Sequence, residues 1–265
     1  MKPQEEAPLE LPPTISFQKL SAADPMKFLK IAVHGQQKSG KSRFSLTAPA
    51  PVYVISTEPG LRPLQKLFPN KEIYFTDVYE PDYTGIFEVE PTKTLAKIDQ
   101  SVREIRELVK KDPSSVNTVV VDSVTDVWKW VQEWMKLDIL KIDRTARVKQ
   151  QWDWGHASTK YQNIIMQLIS LPCHVILTAQ DKEEYAGAGA PTGMYEPRWQ
   201  NQTPYWVDIV IGLVKYKDPK LGTIRYNSTI EDSRHMDDSQ TPIAGKEIEN
   251  LTFDSLVQTL KCGQC

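Results

Sequence analysis

The sequence predicts an α/β protein with a mainly parallel twisted sheet flanked by helices, closing on a C-terminal antiparallel strand pair. Short apolar runs alternate with longer helical stretches, as strands do when helices carry the chain back across a parallel sheet. The first such run ends in the glycine-rich stretch "GQQKSGKS". Two late β-rich runs are separated only by the turn "KDPKLG", too short for a crossover helix.

In chain order, strands are expected at 29–34, 52–56, 72–76, 118–121 and 173–179, and the antiparallel pair at 207–214 and 223–231. A helix over 41–47 follows the glycine loop and is stopped by Pro49 and Pro51. Over 92–110, Leu95, Ile98, Val102, Ile105 and Leu108 recur at three- and four-residue spacing and make one buried face. Further helices are expected at 125–142, rich in tryptophan, at 156–170 and around "DSLVQTL" near Asp254. Residues 144–155 and 181–204 carry no regular pattern. A loop as long as the second is usually functional or disordered.

The acidic, proline-rich start, residues 1–15, reads as a disordered tail and not as a secretory signal, and 16–265 reads as a single domain. With 40% hydrophobic and 25% charged residues, composition is that of an ordinary globular domain. No apolar run approaches the roughly 18 residues of a membrane span, so no membrane role is expected. Three cysteines, Cys173, Cys262 and Cys265, make no disulfide framework and fit a reducing cytoplasm. The terminal "CGQC" has no second ligand pair at zinc spacing, so no structural metal is expected. A net charge of −2 excludes a global basic footprint, and any nucleic-acid contact must come from a local patch.

"GQQKSGKS" matches GxxxxGK[ST], with Gly35, Gly40, Lys41 and Ser42 in the fixed places and Gln36, Gln37, Lys38 and Ser39 between them. The glycines let the backbone curl its N–H groups around phosphates. Lys41 reaches the β- and γ-phosphates, Ser42 offers a hydroxyl to Mg²⁺, and Gln36, Gln37, Lys38, Ser39 and Arg43 complete the expected nucleotide-binding set. The stretch stands between a predicted strand and a predicted helix, the context the motif requires. "NTVVVDS" then supplies an acid at a strand end: Asp122 would hold Mg²⁺ partly through water, or else cap the next helix. ATP and Mg²⁺ are the expected cofactors. Glu58, past the tip of the second strand, is the candidate base for the attacking water, or a plain turn acid in "EPG". Gln180, taken to end the strand "HVILTAQ", is placed to sense the γ-phosphate and pass its presence to the loop beyond.

The stretches "IAVHGQQKSGKS", "VYVISTEPGL", "TVVVDSVTDVW" and "LPCHVILTAQDKEEY" together resemble RecA-type P-loop ATPases. The resemblance is to the short phage-type members, including Sak-type single-strand annealing proteins, across about 27–231. It implies a RecA-like P-loop NTPase core whose second strand lies beside the P-loop strand, with Glu58, Lys41 and Gln180 catalytic. It further implies single-stranded DNA as partner, assembly into a homo-oligomeric ring or filament, and a location in the cytoplasm, the host's if phage-encoded. Such assemblies insert a cation from a neighbouring subunit at the γ-phosphate, for which Arg234, Lys215 and Lys217 are candidates. Asp232 stands where the family carries the lysine of Lys-Ser-Arg.

Binding single-stranded DNA needs cations for the backbone and flat rings for the bases. "ILKIDRTARVK" supplies Lys141, Arg144, Arg147 and Lys149, with Trp152 and Trp154 directly after, and the stretch after Gln180 adds Lys182, Tyr185, Tyr195, Arg198 and Trp199. The same residues also suit a packed core and a solvated face. Three functional classes follow: a DNA-dependent recombination or annealing ATPase, a replication or packaging ATPase resembling a helicase loader, and a nucleotide-gated regulatory module with little turnover. Single strands should stimulate the first, duplex or a helicase partner the second, and neither the third.

Overall fold

The computed structural model describes residues 28–58, 60–83, 89–185, 191–219 and 222–262. The expected tail at 1–15 and the terminal Cys265 lie outside them. In chain order the elements are β1 (Lys30–Gly35), α1 (Lys41–Ser45), β2 (Val52–Ser56), β3 (Ile73–Asp77), α2 (Pro91–Lys111), β4 (Thr118–Asp122), α3 (Val124–Trp134), α4 (Trp154–Ile169), β5 (His174–Tyr185), β6 (Pro191–Pro197), α5 (Thr203–Trp206), β7 (Ile209–Lys217), β8 (Ile224–Ser233), β9 (Glu247–Glu249) and α6 (Phe253–Cys262).

The sheet runs β3-β2-β4-β5-β1-β7-β8-β9. Strands β1 to β5 are mutually parallel, β7 joins β1 in parallel, and β7, β8 and β9 pair antiparallel. The predicted class therefore holds. The expected neighbour of the P-loop strand does not: β2 lies between β3 and β4, separated from β1 by β4 and β5. Strand β1 is instead flanked by β5 and β7, so the P-loop springs from the middle of the sheet.

Period-two alternation along the strands builds two cores. Ala32, Ile55, Val119, Val121, Val175, Leu177 and Val210 point to one face and meet α2, α3 and α4. Ile31, Val33, Val52, Val54, Val120, Ile176, Ile209 and Ile211 point to the other and meet α1 and α6. Each such side chain, fully removed from water, contributes roughly 1.5–3 kcal/mol before entropy is counted. Strands buried on both faces read as unbroken apolar runs, which is why "KIAV" and "TVVV" are visible in the sequence. The tryptophans of the third helix follow the same logic: Trp130 is buried, and Trp128 and Trp134 pack on the first core.

Two segments differ from expectation. The helix expected to run to 142 is α-helical to Trp134 and continues as one π-helical turn, Met135–Ile139. Within 181–204, residues 181–185 and 191–197 are strand and not loop: β5 does not stop at Gln180 but runs on to Tyr185 and pairs antiparallel with β6. Gln180 is the last β5 residue in register with β1, opposite Gly35, and Asp181 is the first in register with β6. It is a changeover point between two sheets.

Arg144, expected on a DNA-facing patch, is turned inward. Its side chain is only 9% exposed, lies 3.4 Å from Asp82 and 3.5 Å from Glu133, and donates to Val89 O at 2.6 Å. A guanidinium held by two carboxylates and a carbonyl braces the chain around α3 and is not available to a phosphate backbone. Arg144→Ala strips both carboxylates of this cation and should cost about 3 kcal/mol in urea unfolding, while Arg147→Ala, on the exposed side of the same segment, should change stability by no more than about 0.5 kcal/mol.

Candidate functional site

Because β1, β4 and β5 are parallel, their C-terminal ends share one edge of the sheet, and the polar residues there converge. The chain leaves β1 at Gly35 with no room for a side chain. A Cβ there would stand 2.4 Å from Leu213 O and 2.6 Å from Ser39 Oγ. Gly40, at φ +102°, supplies the left-handed turn into α1. Between them Ser39 N closes a turn on Gln36 O at 3.2 Å. Lys41 is buried and curls back over this turn, donating to Gly35 O at 2.7 Å and Gln36 O at 2.9 Å. Burial pulls its pKa below the usual lysine value, opposed by Asp122, Asp181 and Glu58 and assisted by Lys215. Gln36, Gln37, Lys38 and Arg43 are exposed around the loop.

Ser42 Oγ donates to Asp122 Oδ2 at 2.6 Å, and Thr178 Oγ1 donates to Oδ1 of the same carboxylate. Asp122 is thus not the cap of α3; Ser123 holds the N-cap position. Thr57 bridges the same edge, its N–H to Asp122 O at 2.8 Å and its hydroxyl to Asp126 Oδ2 at 2.7 Å. Beyond it, the Gln180 amide donates to Glu58 Oε1. Loss of solvent raises the Glu58 pKa, and Asp126 and Asp122 push the same way, while Gln180 and Lys41 pull it back. A carboxylate biased upward at the rim of the site can take a proton nearer neutral pH than a free one.

The residues present fit a bound triphosphate and Mg²⁺. Ser39 Oγ is buried with no hydrogen-bond partner among the described residues, directly beneath the turn, and Gly35 gives the loop the close approach an anion needs. The Lys41 ammonium, now satisfied by two loop carbonyls, is the cation that would meet phosphate. Ser42 and Asp122, already paired, are oxygen donors of the kind Mg²⁺ takes, directly or through water.

The other candidates scatter. Lys215 is engaged by its own chain, donating to Gln37 O at 2.8 Å, so in this structure it braces the P-loop from within the subunit. Lys217 is exposed on the same strand. Arg234 lies near the opposite edge of the sheet, its guanidinium on Tyr205 O and 3.9 Å from Asp208, whose N–H bonds the start of β1. Trp199, 7% exposed, is core and cannot stack a base. Trp152 is 74% exposed, Lys141, Arg147 and Lys149 earlier in the same stretch are exposed and form no ion pair among the described residues, and Trp154 packs on the core. On the hairpin, Tyr185, Tyr195 and Arg198 are exposed, and Lys182 pairs with Glu196 at 2.8 Å.

Thr178 and Thr57 escape a motif search, as does Asp126 in the first turn of α3, which no local pattern marks. The signal of the two threonines is a polar residue inside an otherwise apolar strand ("HVILT") or next to a candidate acid ("STE"), where a buried hydroxyl must find a partner. Among the described residues no helix is long and apolar enough to cross a membrane, and no group of His, Cys, Asp and Glu forms a metal cluster.

No curated protein matches the chain. Among solved structures, a KaiC-like protein from the hyperthermophilic archaeon Pyrococcus horikoshii OT3 is similar over 83% of this chain and 84% of that one, at 14% identity and a TM-score of 0.44. A family model described as "AAA domain" matches residues 27–237, from just before β1 to just beyond β8. With most of its length inside that match, the chain belongs to the AAA domain family and is a P-loop ATPase.

Proposed function

We propose that the protein is a Mg²⁺-dependent, RecA-type ATPase that binds single-stranded DNA in recombination or annealing and works as a homo-oligomeric ring or filament. The observation that carries this reading is the contact between Gln180 and Glu58. It joins the candidate base to the residue where β5 leaves the sheet and enters the β5–β6 hairpin. Hydrolysis and an exposed, aromatic-bearing element then meet at one hydrogen bond.

In this reading Lys41 and the loop N–H groups hold the phosphates, Ser42 and Asp122 hold Mg²⁺, and Glu58 orients the attacking water and takes its proton. When bound, Mg²⁺ neutralises charge that builds on the phosphate oxygens. Gln180 sets the Glu58 carboxylate. The nucleic-acid surface is then Lys141, Arg147, Lys149 and Trp152 together with Tyr185, Tyr195 and Arg198. Helix α4 leads within a few residues into the start of β5, so its own start, just after Trp152, lies toward the P-loop edge. A Trp152 on the side of the sheet from which the β5–β6 hairpin leaves supports this reading. Lys217, exposed on β7, is the candidate left to reach a neighbour's nucleotide, whereas Arg234 is held by Tyr205 O and Asp208 and Lys215 by Gln37 O within their own subunit.

Lys41→Ala should abolish ATP binding in a fluorescent-nucleotide titration; unchanged affinity would refute the cradle. Glu58→Gln should keep ATP affinity within about threefold and lower turnover by at least about 100-fold, within the range general-base catalysis contributes. Undiminished phosphate release in that variant removes Glu58 from the mechanism.

Replacing Arg147 and Lys149 together by alanine should weaken binding to an oligothymidine and reduce the salt slope by about 1.4, two backbone contacts' worth. Equal affinity and equal slope would make the patch a solvated face only.

A further inference from the structure

His34 is the last residue of β1 before Gly35, and it is 5% exposed in the middle of the sheet. A buried histidine there could be a neutral, singly bonded core residue. It is not. Its Nδ1 lies 2.8 Å from Asp181 Oδ1 and its Nε2 lies 2.8 Å from Glu231 Oε2. The edge of the Trp199 ring closes over the imidazole, centroids 5.5 Å apart. Asp181 comes from β5, Glu231 from β8, and Trp199 from the chain just after β6.

Two features of the backbone exist around this contact. The β7–β8 register slips between Val210 and Ile211, so Glu231 is the extra residue of a β-bulge. Bulges re-aim a side chain, and this one sends Glu231 across β7 and not out to its edge. The strand it crosses carries Gly212, directly opposite His34. A Cβ on Gly212 would come within 2.4 Å of Glu231 Oε1, so the carboxylate reaches the imidazole only over a glycine.

The position of the contact is as informative as its chemistry. Asp181 is the first residue of β5 paired to β6, and Trp199 follows the other end of the hairpin by two residues. His34 therefore holds both legs of the hairpin at their root while its own next residue opens the P-loop. Asp181 also acts on Lys41, which sits in that loop.

We propose that His34 is a positioning residue that ties the phosphate cradle to the root of the β5–β6 hairpin, so that nucleotide held at 35–42 fixes the hairpin's placement. This inference rests on the nucleotide-binding reading above. The charge state supports it. Burial works against a charged His34, but the hydrogen bonds to Asp181 and Glu231 outweigh it and raise the pKa to about 9. Only an imidazolium can donate to both carboxylates at once. The groups that face it are Asp181 on β5 and Glu231 on β8, with Gly212 of β7 and the Trp199 ring between, and Lys41 of α1 beyond Asp181. Since the folded pKa lies above the unfolded value of about 6.5, the stabilisation is complete below about pH 6.5 and is lost as pH rises through about 9.

The test uses the full chain with Mg²⁺ and the slowly hydrolysed analogue ATPγS, in wild type, His34→Gln and Gly212→Ala. Gly212→Ala leaves every titratable group in place and only displaces Glu231, which guards against a His34 variant that fails to fold. Amide hydrogen exchange of residues 181–185 and 191–197 should slow at least about fivefold on nucleotide binding in wild type. Both variants should keep nucleotide affinity within about threefold yet lose that response. By imidazole ¹⁵N shifts, Gly212→Ala should lower the His34 pKa by at least about one unit. A wild-type hairpin that ignores bound nucleotide overturns the proposal, as does an undiminished response in Gly212→Ala with its His34 pKa lowered. An unaltered His34 pKa in that variant overturns it too. Failure of wild type to bind the analogue at all overturns the nucleotide reading itself.

Discussion

The carboxylate of Asp122, gripped on one side by the Ser42 hydroxyl and on the other by that of Thr178, is the contact on which the rest of the site depends. It joins the helix after β1, the end of β4 and the middle of β5 in a single group. That is possible only because the three strands are parallel and in register, Asp122 opposite Thr178 and Gly35 opposite Gln180. A parallel sheet puts all its strand ends along one edge, and its apolar interior leaves polar residues nowhere else to converge. The same edge then gathers Thr57, Asp126, Glu58 and Gln180 around the P-loop.

On this edge, charge is balanced pairwise and not in bulk. Lys41 is buried against two carbonyls with three carboxylates near, His34 lies between two carboxylates, and Asp122 is held by hydroxyls. Glu58 is the exception: its surroundings raise its pKa, and its only direct side-chain partner among the described residues is a neutral amide. A polar cluster with one member left biased is what proton abstraction needs.

Much of this was legible in the sequence. Strands buried on both faces read as apolar runs, and the glycine-lysine-serine spacing locates the P-loop because the backbone geometry permits little else at Gly35. Asp122, Glu58 and Gln180 were singled out for expected places at strand ends: Asp122 does end β4 and Glu58 follows β2 by two residues, but Gln180 lies inside β5. What the sequence hid was set by long-range packing. The order of β2 in the sheet depends on which strand pairs with which, and no local pattern encodes that. Arg144 has the same composition around it as Arg147, and only Asp82 and Glu133, distant in the chain, turn it inward. The β5–β6 hairpin was masked by the polar, glycine- and proline-rich stretch that carries it, in which alternation is too weak to mark a strand. His34 read as part of an apolar run, and its partners Asp181 and Glu231 lie on strands far along the chain.

The central claim is that this edge binds and hydrolyses Mg–ATP in the service of a nucleic-acid strand. Steady-state phosphate release by the wild-type chain, measured with and without Mg²⁺ and with and without single-stranded DNA, tests it most directly. The account predicts turnover that disappears with EDTA and rises severalfold on adding single strands, with little response to duplex. Release that is independent of Mg²⁺, or unchanged by single strands while duplex stimulates it, would contradict it.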